Sequence, residues 1–193
     1  KTADLSRKHK VKVSDSGVIS IMGGKLTTYR KMSEHTVDEV VKHTGKAKKC
    51  KTKKLQFIGA KGFKSSMSHG PDAHLAERFG GELNRVKDLI AQDPSLGEPL
   101  IAGLPYLRAE AVFACRDEMA QTLDDVLSRR TRARIINRRA TLASARKVAE
   151  LMAAELHWDA AEIDRQVAFF VDSCSREEAA GLVSEAEFLA SVQ

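Results

Sequence analysis

From Pro71 onward, apolar residues recur at intervals of three and four, the spacing that gathers side chains on one face of an α-helix. That periodicity confines this part of the chain to helices packed on helices. Pro71 suits the first turn of a helix reaching Phe79, and Gly80-Gly81 ends it. A second helix runs from Asn84 to Gln92 and stops at Asp93-Pro94. Pro105 opens a third, whose Leu107, Ala111, Ala114 and Cys115 share a face. A fourth covers Leu123 to Arg129, with Asp125 and Arg129 at the favourable i,i+4 spacing. Leu142, Ala145, Ala149, Met152 and Leu156 mark a long fifth helix. Asp159 with Glu162 is a capping box for a sixth, carried by Ile163, Val167, Phe170, Val171 and Cys174. Ser184 with Glu187 suggests one more short turn. Short connections and the lack of an internal repeat point to a compact bundle over residues 71–193.

The chain before Pro71 is different. His9 to Val13 and Val18 to Met22 read as two short strands around a Ser-Asp-Ser-Gly turn, a hairpin too small to be stable alone. A helix from about Lys25 to Thr44 follows, with Leu26, Tyr29, Ser33, Val37, Val40 and Val41 on one face and Gly45 as its stop. Residues 46–70 read as a basic linker, with an extended segment from Leu55 to Ala60 and loop from Lys61 to Gly70. The expected architecture is mainly α, a helical bundle over 71–193 preceded by a hairpin-and-helix unit over 1–45.

Composition narrows the function classes. A content of 42% apolar and 30% charged residues is ordinary for a globular chain, and no apolar run approaches the ~20 residues that span a bilayer. Cys50, Cys115 and Cys174 are odd in number and widely spaced, which fits a reducing compartment, and Cys115 and Cys174 fall on apolar stripes. No metal site is expected, since neither His43 with Cys50 nor His69 with His74 has a structural ligand spacing. The net charge of +6 gathers in two clusters, Lys46 to Lys54 and Arg129 to Arg139. Such clusters attract phosphates. The lysines have no interleaved aromatic, however, and Glu118, Asp124 and Asp125 precede the arginines, so solvated or salt-bridged faces are favoured over nucleic acid. Peripheral attachment to an anionic membrane surface and assembly into a homo-oligomer both stay open.

The chemistry-bearing stretch is Met22-Gly23-Gly24-Lys25-Leu26-Thr27-Thr28-Tyr29-Arg30-Lys31. Two glycines let a ligand approach the backbone, and the helix behind them begins with amides that lack intrahelical acceptors. Those donors, the helix dipole and the Lys25 ammonium favour an electron-rich ligand. An ordinary strand–turn–helix junction with a solvated lysine would carry the same residues, so the motif alone leaves both readings open.

Gly23 to Arg30 resembles the segment near the end of the flavin domain in FAD-dependent glycerol-3-phosphate dehydrogenases, and Ser6-Arg7-Lys8-His9 is similar to that family's Ser-Arg-x-His/Tyr element. A third block, from Tyr106 to Arg132, looks like its helical C-terminal domain. The resemblance implies that residues 1–45 end an FAD-binding α/β domain of Rossmann type, and that the parent oxidises sn-glycerol 3-phosphate to dihydroxyacetone phosphate. Electrons would pass through FAD to quinone, or to oxygen in the oxidase branch of the family. It implies FAD contacts at Gly23, Gly24, Lys25, Leu26 and Thr27, and active-site roles for Lys25 and Arg7. The parent would be cytoplasmic or peripheral on the inner face of the cell membrane. Because Lys1 lies almost at the start of a family element with no methionine before it, the chain is expected to be a piece of a longer protein. No Gly-x-Gly-x-x-Gly motif follows a strand here, so the piece should neither retain FAD nor turn over substrate. The reading in another class is a free-standing basic helical module that binds nucleic acid or a protein. Glu110, Arg116 and Asp124 are expected to pair between helices rather than catalyse, and His35 to be a surface or satisfied histidine.

Overall fold

In a computed structural model of the chain, residues 8–45, 48 and 50–181 are described. Contacts divide it into two compact units, residues 1–57 and 58–193.

The first unit is a hairpin and a helix. Strands β1 (Lys10–Val13) and β2 (Ile19–Met22) pair antiparallel, with Lys10 opposite Met22 and Val13 opposite Ile19. The Ser14 hydroxyl accepts the Val18 N–H at 3.0 Å and Gly17 takes φ +84°, closing the turn. Helix α1 (Tyr29–Thr44) packs back on the hairpin and ends on Gly45 at φ +68°. Not one described residue of this unit is buried. The face expected to be apolar and covered is the open one, with Leu26 90% and Val37 57% exposed. Of that face only Val41 is half-buried, alongside Met32 and Thr36. The helix is turned this way because Met32 lies against the glycine corner at the end of β2. Leu55 to Ala60 joins no sheet, and a 3-10 turn over Thr52–Lys54 precedes it.

The second unit holds the core. Its elements are α2 (Ala73–Phe79), α3 (Leu83–Gln92), α4 (Arg108–Asp117), a π-helical turn over Asp125–Arg130, α5 (Ala133–Ile136), α6 (Arg138–Leu156) and α7 (Ala160–Gly181). Every residue of α4 from Ala109 to Cys115 is buried, so the helix lies inside the bundle rather than on it. Ala109, Val112 and Phe113 join the cluster formed with α2 and α3, where Phe79 meets Phe113 edge to face. Ala111, Ala114 and Cys115 join the larger cluster with Leu123, Leu127, Val148, Met152 and Phe170. Burial pushes the Cys115 thiol up to about 11 and raises Cys174 as well, so both behave as apolar groups at neutral pH.

Local chemistry sets the helix ends. Asn137 accepts the Ala140 N–H at 3.0 Å to start α6, and Asp159 accepts the Glu162 N–H at 2.8 Å to start α7. The Glu162 carboxylate does not complete a capping box; it turns to Arg165 and Gln166. Gly80-Gly81 does more than end α2. The Gly81 N–H donates to Gly59 O at 2.7 Å, and a Cβ on either glycine would collide with the backbone of Gly59 or Lys61. The last expected turn, at Ser184 and Glu187, lies outside the described residues. Among the described residues, no helix is long and apolar enough to cross a membrane.

The contrast in burial sets an expected order of stability. Limited trypsin digestion should cut first in the lysine-rich stretch around residues 48–54 and leave a resistant fragment carrying residues 73–181. A digest that spares residues 8–57 while degrading α4 would contradict this assignment of the core.

Candidate functional site

At the end of β2 the chain takes φ +73° at Gly23 and +84° at Gly24, two successive left-handed residues that side chains strongly disfavour. The corner delivers the backbone into a 3-10 turn, Leu26–Thr28, which runs directly into α1. Lys25 is the extended residue ahead of that turn. Its N–H donates to Thr28 Oγ1 at 3.2 Å, while the Thr28 hydroxyl donates to Lys25 O at 2.8 Å. The first helical bond is Thr28 N–H to Lys25 O at 2.9 Å. The Leu26 and Thr27 amides therefore precede the helical ladder and have no acceptor within it.

An open hollow of about 650 Å³ borders this corner, walled by Gly23, Gly24, Lys25, Tyr29, Met32 and Val37. The lining is mostly apolar, and the start of the helix with its Lys25 lies at the glycine end. All residues from Gly23 to Thr27 are exposed, and Lys25 forms no ion pair among the described residues. A flat, electron-rich ring fits that donor set: side-chain-free backbone for close approach, and positive potential at one edge. The nucleotide part of such a cofactor would need a glycine loop that this sequence does not contain.

The structure thus brings together Gly23, Gly24, Lys25, Leu26 and Thr27. Arg7 lies outside the described residues. One feature escaped sequence reasoning. His9 Nε2 and His35 Nδ1 are 2.7 Å apart, joining residues 26 positions apart beside Gly24, and no periodicity signals such a pair. His35 is thereby satisfied, as expected of it.

In the second unit, Glu110 is 1% exposed and lies among three partners. Its Oε1 accepts from the Leu107 N–H and from His74 Nε2, each at 2.8 Å. Arg78 Nε lies 2.7 Å from Oε2 as an ion pair poorly aligned for a hydrogen bond. Arg78 also donates to the Arg130 carbonyl and lies over the Tyr106 ring. Arg116 grips Glu155 with two bonds, of 2.6 and 2.7 Å. Burial opposes charge on Asp125, but the Gln121 and Thr122 N–H groups hold its carboxyl below the usual range. Arg129 pairs with Asp124 and Asp125, Arg134 with Asp124 and Glu177, and Arg138 with Glu177. These polar residues bind helices to one another, and most of the arginine cluster is internally neutralised.

The family of the C-terminal domain of alpha-glycerophosphate oxidase matches residues 50–163. The glycerol-3-phosphate dehydrogenase 2 of Mycobacterium bovis is 35% identical over 183 residues, covering 88% of this chain and 31% of its own length. The mitochondrial glycerol-3-phosphate dehydrogenase of Mesocricetus auratus is 36% identical, covering 86% of this chain and 24% of its own. The chain therefore spans less than a third of these relatives. Among solved structures, the glycerol-3-phosphate dehydrogenase from Bacillus halodurans complexed with FAD superposes with a TM-score of 0.71 at 28% identity, over 86% of this chain and 36% of that one.

Two substitutions separate scaffold from site. Glu110→Ala leaves Arg78 and His74 facing a void and should lower the unfolding free energy by about 3 kcal/mol in urea titrations. Gly24→Ala forces a Cβ into left-handed backbone at a local cost of about 1 kcal/mol or more. Hydrogen exchange should quicken in β2 and the first turn of α1 and stay unchanged in α4.

Proposed function

This chain belongs to the family of the C-terminal domain of alpha-glycerophosphate oxidase, and from that premise we propose that it is the C-terminal part of a flavoprotein that oxidises sn-glycerol 3-phosphate to dihydroxyacetone phosphate. FAD supplies the two-electron acceptor when bound, and quinone is the onward acceptor in this reading. The observation that carries it is the corner itself: two left-handed glycines and a lysine without an ion pair among the described residues line one hollow, next to two amides ahead of the helical ladder.

Each residue has a distinct task. Gly23 and Gly24 keep the backbone free of side chains where the ring lies. The Leu26 and Thr27 N–H groups and the dipole of α1 stabilise negative charge at the ring edge nearest them. Lys25 places a point charge beside the reacting oxygens, and Arg7 holds an oxyanion with two parallel bonds. Leu26, Tyr29, Val37 and Val40, exposed in the first unit, form the seam against which the rest of the flavin-binding domain packs. Without that domain the 193 residues neither hold FAD nor turn over substrate. The internally paired arginines favour this reading over a nucleic-acid module.

The test uses the full-length polypeptide. Lys25→Ala should lower kcat/KM for glycerol 3-phosphate about a hundredfold with FAD content retained. Unchanged kinetics would remove Lys25 from the site. Dye reduction without peroxide release identifies the dehydrogenase; stoichiometric peroxide would assign the parent to the oxidase branch.

A further inference from the structure

We propose that His9 and His35, through the bond between their rings, are positioning residues that hold the glycine corner in shape; the consequence for FAD rests on the reading above. The two ring nitrogens are 2.7 Å apart and the ring centroids 4.8 Å apart, tilted by 44°. A contact of that length needs one N–H facing one lone pair, so one ring donates and the other accepts.

The placement of the pair explains what it holds. His9 stands one residue before β1, and His35 lies on α1 one turn beyond Met32. A Cβ built on Gly24 would lie 3.2 Å from His9 Cβ and 2.7 Å from Met32 Sδ. Gly24 is therefore wedged between the two elements that the histidines tie together. Since no described residue of this unit is buried, the apolar contribution to keeping them together is small, and a directional bond carries correspondingly more weight.

The geometry also selects the informative variants. His35 uses Nδ1, whose place an asparagine Oδ1 can take as acceptor, so His35→Asn keeps the bond and His35→Phe removes it. In the full-length polypeptide, hydrogen exchange across Ile19–Thr28 should accelerate several-fold in His35→Phe and stay near the wild-type rate in His35→Asn. FAD dissociation should follow the same order, several-fold faster in His35→Phe but not in His35→Asn. Exchange at the corner that is unchanged in His35→Phe, or equally fast in His35→Asn, overturns the proposal. A polypeptide that shows the exchange pattern but binds no FAD sinks the cofactor reading alone.

Discussion

Burying a helix on every side leaves its polar residues without water, and in this chain that constraint falls on α4. Seven successive residues of α4 are sealed off, and one of them is Glu110. A carboxylate in that position is tolerated only with charge and donors around it. His74 and Arg78 from α2 and the Leu107 N–H supply them. The same requirement ties α2 to α4 and, through the Arg130 carbonyl, to the π-helical turn. Two apolar clusters then share one helix, because α4 gives the small Ala111, Ala114 and Cys115 to one and Ala109, Val112 and Phe113 to the other.

The N-terminal unit follows the opposite rule. It contains a well-defined corner and, among the described residues, no buried side chain, so its shape rests on backbone conformation and a few directional bonds. A reactive corner and a self-sufficient core make competing demands on the same residues. Amides that must remain available to a ligand cannot also be satisfied within the fold, and an apolar helix face that meets another domain cannot serve as a private core. The proposed role of the unit and its lack of burial are two aspects of one arrangement.

Helix positions were legible from Pro71 onward because periodicity, prolines and glycines there all report local preferences. The glycine corner was legible for the same reason, since consecutive left-handed residues leave a local trace. Orientation was harder to read. Leu26, Tyr29, Val37 and Val40 do form an apolar stripe, but a stripe does not say whether its partner lies within the chain, and here Met32 faces the hairpin instead. The burial of α4 on all sides was half legible: Leu107, Ala111, Ala114 and Cys115 marked one face, while Ala109, Val112 and Phe113 fall outside that face and are buried too. The histidine pair was invisible, because contacts between distant residues leave no periodic signature. The π-helical winding over Asp125–Arg130 closes locally on buried Thr131, whose N–H and hydroxyl both donate to the Val126 carbonyl, at 2.9 and 2.8 Å.

The splice between Gly59 and Gly80-Gly81 has a consequence for how this stretch can drift over generations. Main chain rests on main chain there, so the interface is indifferent to most side chains of the irregular segment and intolerant of a single added methyl at the glycines. Sequence divergence should therefore run in an unusual direction: Lys61 and Lys64, conspicuous by charge, are free to change, whereas the smallest residues, which look like filler, are immovable.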